Sequence, residues 1–314
     1  MTTHPRETSR TGPLQLLLGD AIDYAGLFPP AQLDMGGAVA EYASYLESAE
    51  RWALGRFVVP VSRLDELTAA AEARTDAVTL GTRAAPWRLS VLLGNDLETG
   101  VAAVRAFVAV QDEADRDWRA RVEALEVRAA TIEQVTAIGR LARGDDVEWF
   151  VEIPTATDPE PLVRALADAH LRAKVRTGGV TADAFPSAEQ LARFLAACVA
   201  HRVAFKATAG LHHPLRGDYA LTYAEGSGRA TMFGFLNVFL ATALLEGGAG
   251  EDAAERLLDE RDPRAVQFDP SGVTWREHRL TTDRLAAARR SGIGSFGSCS
   301  FREPIDDLES LGLL

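Results

Sequence analysis

Lysine is almost missing from this chain: of 33 basic residues among 314, only Lys174 and Lys206 are not arginine. Arginine keeps its proton at any pH a protein meets, whereas a lysine can be tuned by its surroundings into an amine nucleophile or an acid–base group. The two lysines, both in strand-like segments that run into glycines, are therefore the first places to look for chemistry. Cysteine is equally scarce, and Cys198 and Cys299 alone exclude a disulfide framework and a four-cysteine zinc site. No long apolar run is present either. The longest, Met232 to Leu245, is interrupted by Gly234, Asn237 and Thr242 and is short for a bilayer span. The first residues, MTTHPRETSRTGP, lack the pattern of a secretory signal. No membrane span and a cytoplasmic location are thus expected. Positive charge is in deficit overall, 45 acidic residues giving a net charge of −12, which argues against nucleic acid or an anionic membrane as partner.

What is present is enough apolar residue, 47%, to bury a substantial core. Short β-branched or apolar runs alternate with longer Ala/Leu/Glu/Arg-rich stretches, the pattern of parallel strands and covering helices, so the expected class is α/β. Strands are expected near Ala21–Asp23, Arg56–Pro60, Leu89–Leu93, Leu125–Ala129, Trp149–Ile153, Ala173–Thr177, Val203–Thr208 and Ser295–Phe301. Eight of them predict a closed (β/α)8 TIM-type barrel, a single domain over 1–314. Helices are expected over Gly37–Trp52, Leu64–Arg74, Leu97–Ala114, Thr131–Ala142, Glu160–His170, Ser187–Ala200 and Thr282–Ser291, with Thr131 and Ser187 as caps. The seventh and eighth strands are separated by about seventy residues, read as a helical insertion at about 215–280. It holds a hairpin near Asp269–Gly272 and, in GRATMFGFLNVFLATALLEGG, a buried helix.

Strand alternation puts Glu126 and Arg128 on one face of the fourth strand, Glu152 on the matching face of the fifth, Lys174 and Arg176 on the sixth, and Lys206 and Thr208 on the seventh. The opposite faces are apolar and should meet helices, so four consecutive strands aim charge into the barrel. Barrel interiors are ordinarily filled with branched apolar side chains; two carboxylates and four cations there either pair into a structural network or serve a ligand. Their sum of +2, or +1 with Asp23, favours an anionic ligand. Gly178 and Gly179 follow the sixth strand, Gly210 the seventh, and Ser298 and Ser300 flank Cys299 in the eighth. Such loops can offer backbone N–H and hydroxyl donors to a phosphate or carboxylate. His212 and His213 could be acid–base groups, anion donors or metal ligands, but adjacent histidines rarely share one ion, and no metal or other cofactor is expected. Asp23 precedes a loop, Tyr24 to Pro30, that either contributes to the site or simply plugs the barrel. Cys299 reads as a small packing residue.

The last half resembles the deoxyribose-phosphate aldolase family, metal-free class I aldolases built as (β/α)8 barrels. Arg176-Thr177-Gly178-Gly179, then Phe205-Lys206-Ala207-Thr208-Ala209-Gly210, then Phe296-Gly297-Ser298-Cys299-Ser300 follow the order of that family's motifs. The resemblance covers Ala173 to Gly210 and the final strand. The family's Schiff-base lysine falls on Arg176, which forms no imine, and Lys206 matches the second lysine, which lowers the pKa of the first.

The resulting expectation is a carbon–carbon lyase of aldolase type acting on a small phosphorylated or carboxylated carbonyl metabolite. Lys206, or secondarily Lys174, would attack as a neutral amine, its pKa lowered by Arg176 and by desolvation. Glu152 or Asp23 would move protons, while Arg128 and Arg176 hold the anion. A proton-transfer isomerase or hydrolase without an imine, and a non-catalytic metabolite-binding barrel, are the alternatives; self-association is left open.

Overall fold

The computed structural model describes residues 12–75, 85–112 and 118–314. The opening segment and the last two residues of the expected helix Leu97–Ala114 lie outside them. Eight parallel strands close into a barrel: β1 (Ile22–Tyr24), β2 (Leu54–Pro60), β3 (Trp87–Leu92), β4 (Ala120–Arg128), β5 (Glu148–Glu152), β6 (Arg172–Arg176) and β7 (Phe205–Thr208). After β7 come an antiparallel hairpin, β8 (Gly217–Ala220) with β9 (Arg229–Met232), and a three-stranded sheet, β10 (Val266–Asp269), β11 (Gly272–Trp275) and β12 (His278–Thr281). The last strand, β13 (Ile293–Ser298), lies between β7 and β1 and closes the barrel. The chain is a (β/α)8 TIM-type barrel with interleaved helices.

Five of the helices start behind a residue whose side chain accepts a backbone N–H of the first turn: Asp34, Asp96, Thr131, Ser187 and Thr281. Thr131 and Ser187 cap as expected: Thr131 Oγ1 accepts from the Gln134 N–H, and Ser187 and Gln190 form a reciprocal capping box. Under the helix Met35–Leu46, Tyr24, Tyr42, Phe57 and Trp87 pack edge to face or stacked, all buried. Each such ring contributes about 2–3 kcal/mol by leaving water. The helix Phe235–Glu246 is apolar on every side and buried from Phe235 to Leu245. It sits between the helices Ala188–His201 and Thr282–Ser291, so water reaches no face of it. The residues ahead of it, Arg229–Met232, form β9 rather than helix. Two short helices not expected from the sequence, Pro13–Leu18 and Arg302–Ser310, flank the barrel's first and last strands. Among the described residues no helix is long and apolar enough to cross a membrane.

Register sets the site. Arg128 pairs with Glu152, Glu152 with Lys174, and Lys174 with Lys206, so four charged residues from adjacent strands share one row. Their flanking neighbours Val127, Val151, Ala173, Val175 and Ala207 are buried against the helices.

Candidate active site

The deepest charge is Lys206. Its ammonium donates to Asp23 Oδ2 at 2.6 Å and Glu126 Oε1 at 2.5 Å, with Ser90 Oγ at 3.4 Å, and all four side chains are buried. Asp23 also accepts from Ser295 Oγ at 2.7 Å and, on its other oxygen, from the Arg56 backbone N–H at 2.8 Å. The carboxylate lies so close to β2 that a Cβ on Gly55 would fall 2.3 Å from Asp23 Oδ1, which is why that position carries no side chain. Burial works to lower the Lys206 pKa, but the charges of and hydrogen bonds from Asp23 and Glu126 outweigh it, and the pKa is raised. The expectation of an amine made available by Arg176 is therefore reversed for Lys206. Arg176 spends its contact on Glu152, and the neighbours Lys206 does touch are anions. Glu126, opposed by burial but flanked by both lysines, is held well below the usual carboxylate range.

Beside Lys206 in the same row, Lys174 Nζ lies 2.8 Å from Glu126 Oε2 and 2.9 Å from Glu152 Oε2. The second contact is close but poorly aligned, since Glu152 Oε2 accepts no well-formed hydrogen bond despite being buried. The other Glu152 oxygen meets two guanidiniums, Arg128 Nε and Arg176 Nε, each at 3.3 Å. Burial pushes the Glu152 pKa up, Lys174 and then Arg176 and Arg128 pull it down, and the net direction is down.

These residues open onto two spaces at the carboxyl ends of the strands. A smaller, partly open cavity of about 330 Å³ is bounded by Lys174, Lys206, Phe28, Pro29, His212 and the hairpin residues Leu221 and Met232. A wider groove of about 1170 Å³ continues past Gln134, Thr155 and Asp183. Glu126, Arg128, Lys174 and Arg176 line both. The loop Tyr24 to Pro30 thus contributes to the mouth through Phe28, Pro29 and Pro30, while Tyr24 turns outward and donates to Glu41 at 2.6 Å.

On the far wall of the cavity, His212 Nδ1 lies 3.1 Å from Glu303 Oε2 and 3.3 Å from Ser298 Oγ, with Cys299 Sγ at 3.9 Å. Burial opposes its charge, but contacts with Cys299 and Glu303 raise the imidazole pKa to about 9. Tyr223, between β8 and β9, bridges Cys299 Sγ at 3.3 Å and Glu303 Oε2 at 3.0 Å. His213 stacks on Tyr219 and pairs with Asp307 at 2.7 Å. Among the described residues no group of three or more His, Cys, Asp or Glu is arranged to hold a metal ion.

The structure thus brings Asp23, Glu126, Glu152, Lys174, Lys206, Arg128 and Arg176 together, with His212 across the cavity. The small residues behave differently. A Cβ on Gly178 or on Gly210 would meet the Phe185 ring at 2.3 or 2.9 Å, and one on Gly179 would meet Ala184, so the following loop packs tightly on all three, while Gly179 and Gly210 also line the smaller cavity. Ser298 Oγ donates to the Ser300 carbonyl at 2.6 Å, and Ser300 Oγ accepts from the Glu303 N–H, so these hydroxyls serve the turn itself. Sequence reasoning missed Ser90, Ser295, Glu303 and Tyr223. Ser90 and Ser295 carried a signal, a polar residue at inward parity in an apolar strand; Glu303 and Tyr223 carried none, because each reaches the mouth from an element outside the barrel.

Comparison with family models, with curated proteins and with solved structures returns no match. The fold and site define a (β/α)8 barrel with a lysine–carboxylate cluster at its mouth, and function rests on that geometry.

Proposed function

We propose that this barrel is an enzyme of carbon–carbon lyase type that acts on a small anionic carbonyl compound through Lys174. The observation that carries the reading is Lys174 itself: it borders both spaces, lies between two carboxylates, and stands beside two arginines whose one ion pair among the described residues is a long one to Glu152. The resemblance to deoxyribose-phosphate aldolases supports the same class, with the amine one strand residue pair below the family position, at Lys174 instead of Arg176.

An anion that engages Arg128 and Arg176 draws them from Glu152 and so raises the proton affinity of that carboxylate. Glu152 then accepts the proton of Lys174. The free amine adds to the carbonyl carbon, water leaves, and the resulting iminium takes up the electron pair of the bond between the α and β carbons as it breaks, giving the enamine. A base removes the hydroxyl proton of the departing aldehyde; protonation of the enamine and hydrolysis restore the lysine. Lys206 stays charged throughout and keeps Glu126 anionic. The imidazolium of His212 faces the same cavity as a proton donor.

A second reading, a proton-transfer isomerase without an imine, is favoured by one observation: each lysine nitrogen lies within 2.5–2.9 Å of two carboxylate oxygens. Borohydride reduction during incubation with aldehydes and 2-oxo acids, followed by peptide mass analysis, separates the two. A reduced adduct on Lys174 that is lost in Lys174→Met supports the lyase. Turnover with no trappable adduct supports the isomerase.

A further inference from the structure

Resting on that reading, we infer that the substrate is a 2-oxo acid with an uncharged, hydroxyl-bearing tail, and not a sugar phosphate. The position of the free positive charge carries the argument. Arg128 and Arg176 contact the same Glu152 whose other oxygen lies 2.9 Å from Lys174 Nζ. An anion held by these guanidiniums is thus within a residue's width of the amine, so it must be attached next to the carbonyl that the amine attacks. A carboxylate on the neighbouring carbon meets that requirement; a phosphate at the far end of a five-carbon sugar does not.

Charge count agrees. Four cations, Arg128, Lys174, Arg176 and Lys206, face three anions, Asp23, Glu126 and Glu152, which leaves +1. One carboxylate matches it, whereas a phosphate monoester carries about −1.5 to −2. Elsewhere around both spaces, among the described residues, no cation is left for a second anion. His212 and His213 are paired with Glu303 and Asp307. The outer groove presents Asp183, whose charge repels phosphate, and neutral donors. Gln134 and Gln190 spend their carbonyl oxygens on the Ala130 and Ser187 N–H groups, and with Asn95 they offer amide N–H groups to ligand hydroxyls. The volume fits as well: the groove of about 1170 Å³ exceeds what a three-carbon acid occupies.

The test is calorimetric titration of the full-length protein with four probes: pyruvate, 2-keto-3-deoxygluconate, its 6-phosphate, and deoxyribose 5-phosphate. The expected order places 2-keto-3-deoxygluconate about tenfold or more tighter than pyruvate, the 6-phosphate weaker than the unphosphorylated acid, and deoxyribose 5-phosphate last. Asp183→Lys, at an exposed position, should reverse the order of the two six-carbon acids. Pyruvate binding with no gain from the six-carbon tail overturns the inference and leaves the anionic-carbonyl reading standing. So does tighter binding of the 6-phosphate by the unaltered protein. Preference for deoxyribose 5-phosphate overturns the inference in favour of a sugar phosphate. No binding of any probe overturns the anionic-carbonyl reading and the inference with it.

Discussion

Two charged networks lie inside this barrel, one at the amino-terminal ends of the strands and one at the mouth, and only the second contains lysine. At the amino-terminal end, Arg56 binds Glu123 and Glu148, Arg88 binds Glu123 and Asp20, and Arg172 binds Glu148. Every cation there is an arginine, and most partners keep some access to water. The cluster toward the mouth holds both lysines of the chain, each between two carboxylates. Phe150 separates the two, with Arg56 and Arg172 against its ring from one network and Lys206 from the other. A permanently charged guanidinium suits a clamp that only has to stay charged, whereas an ammonium can exchange a proton with a neighbouring carboxylate. In a chain otherwise devoid of lysine, their placement together in the row that opens to the cavity sets this network apart from the arginine clamp and is what the proposed chemistry uses.

The largest effect expected from testing this contrast is on stability. Lys206→Met leaves Asp23 and Glu126 buried without their shared cation and should cost about 3–5 kcal/mol in urea unfolding. The two carboxylates, each within hydrogen-bond reach of the Lys206 ammonium, are the reason the fold should feel the change. Adding Asp23→Asn and Glu126→Gln should recover part of the loss. A cost below about 1 kcal/mol would show that the deep lysine is no more structural than a surface one.

A smaller effect separates the two ends by pH. The folded His212 pKa, about 9, lies above the unfolded value near 6.5. Its pairing with Glu303 therefore contributes stability that is complete below about pH 6.5 and disappears as pH rises through about 9. Melting temperature should fall across that window by an amount worth about 3 kcal/mol, and His212→Gln should flatten the fall. A variant with an unchanged pH profile would remove His212 from the charged groups of the mouth. The arginine network should contribute no slope in this range.

The smallest effect is expected at that network. Arg172→Gln breaks a partly exposed pair with Glu148 and should cost about 0–1 kcal/mol, less at high salt. A loss as large as that of Lys206→Met would erase the distinction between the two networks.

Much of this contrast was legible in the residues. All eight barrel strands overlap the apolar runs read as strands, although β4 begins at Ala120 and not at Leu125, and within the overlaps a parity of two writes each strand's inner face directly into the sequence. The same parity singled out Glu126, Glu152, Lys174 and Lys206. The amino-terminal network was not legible in full: a bulge where Leu89 pairs with Val122 but Ser90 with Ala124 breaks the alternation around Glu123. Cys299 read as packing because its neighbours His212 and Tyr223 are distant in the chain; only the fold brings an imidazole and a phenol to its sulfur.

The sequence by itself determined which side of each strand faces inward, which helices are capped where, and that a chain with two lysines places both among carboxylates of matching parity. These are local properties, set by backbone geometry and side-chain period. Only the tertiary structure decided which carboxylate each lysine meets. Barrel closure brings Asp23 of β1 across to Lys206 of β7, and side-chain reach across the interior lets Glu126 of β4 hold Lys174 and Lys206 at once. The direction of the Lys206 pKa follows from those partners, since electrostatic energy depends on distance through space and not on separation along the chain.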